Sequence, residues 1–449
     1  MTPAPASPGI LLTAALKAAR AGIGPARPAA QPGGRIRTAE GLLLSSDGPD
    51  APVGALLCAE GPAGPVGCEA IGFRNGRLLM MVLDEAPVAP GNPVWLQAPA
   101  GDTPAGPALL GRVTGALGEP LDGLGPIRTE GRWPLAGRPL PPLDRADVSQ
   151  PFPTGVRALD ALLTLGRGQR VGLMAGSGVG KSTLLQQLVR GAAADCVVVG
   201  LIGERGREIA GFRDTLPPEA LSRTHIVAVP ADAAAPARLR GCLCAFASAE
   251  ALRAEGRHVL LLVDSLTRVA HAQREIGLSL GEPAGARGYP PSALALLPRL
   301  VERAGNDAAS GGAITLIATV LADGDDTVAD PVVDTARGVL DGHVILSRAI
   351  AARGRFPAID LGHSLSRTMS ACIAPAQRAA AAAFRRDHAL AEANQDLVAM
   401  GAYAPGHDPL LDRALARRAE MEAFLAQPGG DPLPFDDSVA ALVAGWGAA

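Results

Sequence analysis

Residues Val171–Leu185 read VGLMAGSGVGKSTLL, a short apolar strand, a glycine-rich loop and the start of a helix. The loop fits the phosphate-binding pattern G-x-x-x-x-G-K-[ST] over Ala175, Gly176, Ser177, Gly178, Val179, Gly180, Lys181 and Ser182, with Ala175 in place of the first glycine; Thr183 follows on the helix. Gly176, Gly178 and Gly180 let the backbone turn several N–H groups toward one point. The helix that starts there adds its positive end, so an anion is favoured at that point. Lys181 can reach β- and γ-phosphates, and the Ser182 hydroxyl can bind Mg²⁺.

Two acids extend this reading. Glu204 follows the apolar run Cys196–Ile202 in Gly203-Glu-Arg-Gly-Arg-Glu208. That run comes straight after the loop's helix, so it is expected beside the loop's strand. Ligands of open α/β sheets lie at carboxyl ends of strands. Glu204 therefore reads either as a solvated loop acid or as a carboxylate that orients an attacking water. Asp264 closes the apolar run Val259–Val263 and fits the second-strand acid that faces Mg²⁺, in preference to a turn-forming Asp.

Farther on, Arg367 ends His363-Ser-Leu-Ser-Arg, and Phe356 lies in Arg355-Phe-Pro-Ala-Ile-Asp360. Arg367 could complete a neighbouring subunit's site, but the bare sequence favours a surface salt bridge. Phe356 could pack on adenine, although an isolated aromatic is more often core.

The chain has 449 residues, 48% hydrophobic and 19% charged, which indicates a folded protein of two or three domains. A net charge of −3 and 3% aromatics speak against a dedicated nucleic-acid binder. The six cysteines have no zinc-framework spacing and read as reduced, buried thiols of a cytosolic protein. No apolar run is long enough to span a membrane, and no secretory signal is visible.

Residues 1–34 are rich in Ala, Pro and Gly. Their stretch Ile10–Arg20 reads as a frayed tail or as an amphipathic helix for a partner or a membrane surface. Residues 35–98 hold short apolar runs with an Asn75-Gly76 hairpin signal, suggesting a small β-barrel. The Pro/Gly-dense stretch Pro99–Pro153 reads as a link. Up to about residue 369, strands at Cys196–Ile202, Ile226–Val229, Val259–Val263, Ala313–Thr319 and Gly342–Leu346 alternate with helical segments, an α/β domain with a mainly parallel sheet. Residues 370–449 form a helical domain, with helical periodicity clearest from Ser370 to Gln427.

These residues resemble a known family, the ATPases of the flagellar and type III secretion export apparatus, relatives of the ATP-synthase β subunit. The resemblance runs from about Gly34 to Gln427. It is carried by Gly72-Phe-Arg, Leu110-Gly-Arg-Val, Gly155-Val-Arg-Ala-Leu-Asp160, Gly166-Arg-Gly-Gln169, the phosphate loop, GERGREI, Leu262-Val-Asp-Ser-Leu-Thr-Arg268, Gln273–Pro283 with Gly288-Tyr-Pro-Pro-Ser292, Asp341-Gly-His-Val and Ser364-Leu-Ser-Arg367. It implies a RecA-like core and a homohexamer with ATP sites between subunits. Lys181 and Ser182 then hold phosphate and Mg²⁺, Glu204 positions the water, Arg205 contacts phosphate, and Asp264 is the second-strand acid. Arg367 is the neighbour's finger and Phe356 packs on adenine.

The implied partners are a regulator-stator protein at the N-terminus, export substrates with their chaperones, and a membrane export gate. The implied place is the cytoplasm, peripheral to the inner membrane, and no nucleic acid is expected. Glu204 argues against a non-catalytic ring subunit. The acidic rotor-contact loop of the ATP-synthase β subunit is replaced by Gly401-Ala-Tyr-Ala-Pro-Gly-His-Asp-Pro409 with Asp412. That form leans to the flagellar branch, with an injectisome ATPase as the alternative and an RNA-stimulated ring motor behind both.

Overall fold

In the computed structural model, residues 33–83, 86–99, 101–176, 178–321, 330–427 and 431–447 are described. The expectations for residues 1–32 and for Ser177 lie outside them.

Strands β1 (Gly34–Glu40), β2 (Leu43–Ser46), β3 (Leu56–Gly61), β4 (Gly64–Arg74), β5 (Arg77–Val82) and β6 (Pro93–Ala98) close a barrel in the order β1-β2-β5-β4-β3-β6. Asn75 and Gly76 join β4 to β5 with φ of 52° and 74°. Both central residues of a type I′ turn need positive φ, and Asn-Gly supplies it at little cost. The two-residue period explains why β5 is apolar almost throughout. Leu78, Met80 and Val82 enter the barrel core with Ile36, Leu44 and Leu57. Met81 faces outward onto Ala235, Ala272 and Ile276.

The stretch expected to be a link is folded. β7 (Asp102–Ala105) pairs with β9 (Gly131–Pro134); between them lies β8 (Val113–Thr114), and beyond them β10 (Arg145–Ala146). Strands of two to four residues are too short to show a period, so Pro and Gly dominated the reading.

The remaining strands are β11 (Arg170–Ala175), β12 (Cys196–Glu204), β13 (Thr224–Pro230), β14 (His258–Asp264), β15 (Gly305–Asp307), β16 (Ala313–Leu321), β17 (Gly342–Leu346) and β18 (Ile359–Ser366). The chain divides into two compact units. The first is Met1–Leu140, Cys196–Glu255 and Val263–Arg303; the second is Pro141–Asp195, Gly256–Leu262 and Ala304–Ala449.

In the first unit β12, β13 and β8 pair in parallel. In the second, β11 pairs in parallel with β16 and β17, and β18 adds an antiparallel edge. Because β16 and β17 occupy both sides of β11, β12 is not its neighbour, contrary to the expectation from chain order. A strand far downstream inserts beside β11. Parallel strands need long crossovers, and these leave the choice of neighbour to tertiary packing. All seven residues of β14 are buried, as in a parallel strand covered on both faces.

The last part is helical as expected, with helices Pro375–Ala393, Pro409–Ala416, Arg418–Leu425 and Phe435–Trp446. The first, third and fourth pack around Phe384, Phe424 and Trp446, with Phe384 and Trp446 ring centroids 4.6 Å apart. The Gly401–Asp412 segment is a capping loop. The Tyr403 hydroxyl and the Gly406 N–H both donate to Asp412 at 2.8 Å, while Asp408 accepts from the N–H groups of Leu410 and Leu411 and starts the next helix. All six cysteines are buried, and none is in a disulfide. Among the described residues no helix is long and apolar enough to cross a membrane.

Candidate functional site

In the second unit the phosphate loop runs from the end of β11 into helix Lys181–Gly191, as expected. Gly178 and Gly180 have φ of +79° and +86°, a conformation that costs glycine least. A Cβ on Gly178 would meet nothing within 4 Å, so the loop is open at that glycine. Ala175 ends β11 paired with Leu321 and Leu346. It is buried and already extended, so no glycine is required there. Val179 is buried and anchors the loop; Lys181 is half-buried, and Ser182 and Thr183 are exposed on the first helical turn. A nest of N–H groups at a helix start, open on one side and flanked by an ammonium and a hydroxyl, suits a phosphate chain with a hard divalent cation.

Phe356 is not core. It is 44% exposed, and its ring carbons lie 3.3 and 3.4 Å from the position a Cβ on Gly180 would take. A half-exposed aromatic face held against a phosphate loop is a ready platform for a purine. Arg348 was not singled out in the sequence. Its guanidinium comes within 3.4 Å of a Cβ position on Gly176, and with Gly176, Val179, Arg337, His343 and His363 it lines a cavity of about 760 Å³. Burial, with Arg337 adding and the His363 carbonyl opposing, holds His343 below the ordinary histidine pKa. The ring is thus neutral at pH 7.

Arg367 follows β18. Its N–H donates to the Asp341 carbonyl at 3.0 Å, and the Ser366 hydroxyl donates to the Thr164 carbonyl at 2.8 Å. Gln169 completes the bracket. Its amide donates to the Asp341 carbonyl at 3.1 Å and to the Ser366 hydroxyl at 3.2 Å. The Arg367 side chain is exposed. Its guanidinium contacts the Arg337 carbonyl at 3.5 Å and has no carboxylate partner among the described residues, so the surface salt bridge favoured by the bare sequence is not what forms.

In the first unit, Glu204 is the last residue of β12 and half-buried. Gly203, at φ +75°, turns the chain there, with the Arg268 side chain 3.0–3.3 Å from where its Cβ would be. Arg268 is a second residue not singled out. Arg205 is 70% exposed and pairs loosely with Glu208 at 3.6 Å. Asp264 is buried at the end of β14, joined to Ser265 by a cis peptide bond. The Ser265 hydroxyl caps the helix that follows by accepting from the Arg268 N–H. Phosphate loop, Phe356 and Arg367 thus belong to one unit, and Glu204, Arg205 and Asp264 to the other.

Residues 155–366 match the ATP synthase alpha/beta family, nucleotide-binding domain, and residues 373–444 match the T3SS EscN ATPase C-terminal domain. The chain is 46% identical over 428 residues to the flagellum-specific ATP synthase of Salmonella typhimurium, covering 92% of this chain and 94% of the relative. It is 44% identical to the type 3 secretion system ATPase of Sinorhizobium fredii, covering 92% and 91%. The assembled ATPase EscN of the enteropathogenic E. coli type III secretion system superposes with a TM-score of 0.86 at 36% identity, over 92% of this chain and 99% of that one. EscN in complex with its central stalk EscO gives 0.84. With a phosphate loop, a barrel and a helical C-terminal region in the same order, the chain belongs to the family of flagellum-specific and type III secretion ATPases and is an ATP hydrolase.

Proposed function

We propose that this ATPase serves flagellar protein export, hydrolysing Mg-ATP as a ring of six copies and helping to deliver export substrates to a membrane gate. The observation that carries the nucleotide reading is the open glycine loop with Phe356 held against Gly180. In this reading Gly176, Ser177, Gly178, Val179, Gly180, Lys181 and Thr183 cradle the phosphates and Phe356 stacks on adenine. Glu204 orients water, and Arg205 contacts phosphate.

Ser182 and Asp264 would hold Mg²⁺, and a hydroxyl with a carboxylate is the hard oxygen donor set that cation takes. When bound, the metal neutralises charge on the β- and γ-oxygens. Arg367 serves the site of the next copy in the ring, which its exposed side chain and bracketed backbone favour. The corresponding domain boundaries are 1–34, 35–98, 99–369 and 370–449. The N-terminal segment is assigned to a regulator-stator protein, and the complex of EscN with a central stalk supports a stalk partner here. The place of action is the cytoplasmic side of the inner membrane, with substrates and chaperones as further partners.

The resemblance to the Sinorhizobium fredii enzyme and to EscN supports an injectisome ATPase as the second reading. Deleting the gene separates the two. Loss of flagella with other secretion intact is expected, and intact flagella with loss of effector secretion would overturn the flagellar assignment.

A further inference from the structure

Helix Pro375–Ala393 carries His388 and Glu392, an i,i+4 spacing that sets both on one face. Helix Arg418–Leu425 brings Glu422 to them. One ring nitrogen of His388 and one carboxylate oxygen each of Glu392 and Glu422 lie within 4.8 Å of one another. His388 is only 6% exposed, and its buried Nε2 has no hydrogen-bond partner. A buried imidazole nitrogen left unbonded is costly, and most such groups in folded proteins are satisfied.

The two glutamates have ligand capacity left. Arg353 reaches one oxygen of Glu392 at 3.3 Å, and a single nitrogen of Arg355 is shared between the two oxygens of Glu422 at 3.5 and 3.3 Å, against 2.8 Å for Arg413 on Asp387 of the same helix. Each carboxylate offers several lone-pair sites, and contacts this long from one guanidinium do not fill them.

We propose that His388, Glu392 and Glu422 bind one divalent transition cation of the zinc class, which ties helix Pro375–Ala393 to helix Arg418–Leu425. One imidazole with two carboxylates suits zinc, with water completing a tetrahedron. Mg²⁺ and Ca²⁺ prefer oxygen donors throughout. The site is structural. His388 stacks on Phe384 at 6.2 Å between centroids, so the cation would brace the aromatic core of the helical region.

The test uses the untagged full-length chain, stripped with EDTA and titrated with Zn²⁺ against a chromophoric indicator in excess Mg²⁺. One Zn²⁺ per chain is expected, together with a raised thermal midpoint. Glu392→Gln, at an exposed position that leaves folding intact, and His388→Gln should each weaken binding by more than about tenfold, because even groups that only orient a metal's ligands are worth about 10–100-fold. Both should lose the thermal shift while keeping Mg-ATP turnover. A stripped wild-type chain that takes up no zinc overturns the proposal. So does zinc uptake equal in wild type and Glu392→Gln, which would assign the metal to other ligands.

Discussion

If Arg367 acts on a neighbour's nucleotide, two inactive variants must rescue each other. Arg367→Ala removes a 3.5 Å contact to the Arg337 carbonyl from an exposed side chain, so its effect on folding should stay within about 0.5 kcal/mol. Its effect on turnover should be about 10³-fold or more, the range of an arginine finger, which is about 4 kcal/mol of transition-state stabilisation. Glu204→Gln keeps the side chain's shape and removes its charge, and should cost about 10²–10⁴-fold as a lost general base.

Each homogeneous ring then has no complete site. In rings assembled from an equal mixture, a site is complete when its own copy is Arg367→Ala, with Glu204 intact, and the copy supplying the finger is Glu204→Gln, with Arg367 intact. Random assembly makes about one site in four complete, so turnover should rise to about a quarter of wild type if sites fire independently, and to less under cooperative firing. The assay is steady-state Mg-ATP hydrolysis at protein concentrations where sizing shows rings, with wild type and both parents alongside. A mixture no more active than the average of its parents, with rings present, would refute a finger acting between copies.

Other perturbations test the scaffold. Glu250 is fully buried and held by Arg303 at 2.8 and 3.0 Å, with Trp133 Nε1 donating at 2.8 Å; Arg303→Met leaves that carboxylate uncompensated and should cost about 3–5 kcal/mol in urea unfolding. Gly180→Ala forces a side chain into φ +86° and to within 3.4 Å of Phe356, so nucleotide affinity should fall, and the backbone strain should lower stability by about 1 kcal/mol as well. Burial, against the opposing pull of Arg240, raises the Glu69 carboxyl from 4.5 to about 7. The folded state therefore binds this proton more tightly than the unfolded state, and stability falls as pH rises from about 4.5 to about 7 and levels off above. The midpoint of Glu69→Gln should lack that component, and identical pH slopes for the two chains would remove Glu69 as its source.

Much of the fold was legible because it rests on local signals. Asn75-Gly76 demanded a turn with two positive φ values, and that turn forms. The apolar runs of the α/β region became β12, β13, β14, β16 and β17, within two residues of the expected ends. What local signals do not carry was missed. Strand order around β11 depends on β16 arriving from about 140 residues downstream, and no feature of β11 or β12 specifies a neighbour when crossovers are long. The Glu250–Arg303 clamp joins residues 53 apart with no shared periodicity. Arg348 gave no signal because an arginine just past a strand is usually solvated, and Arg268 was visible only as the end of a motif; the close approach to Gly176 and Gly203 marks the two side chains.

The motifs that carried the family resemblance divide by physical task. Asp160 of Gly155–Asp160 accepts from Thr154 N–H and hydroxyl and from Gly155 N–H. Burial pushes its carboxyl up to about 6 in spite of those donors, so it is a structural acid that shapes the approach to the core. Gln169 joins the Gly166–Gln169, Asp341 and Ser366 motifs in one bracket. That bracket immobilises the Arg367 backbone and leaves the guanidinium exposed. A residue meant for its own copy's site could be held by its side chain; one meant for another copy must be fixed by its main chain. If Arg367 is such a finger, fixing the backbone keeps the cost of ordering it low when the neighbour arrives, because the main-chain entropy is already lost on folding. Loosening the bracket should therefore lower turnover in the ring and leave nucleotide binding to an isolated copy unaffected.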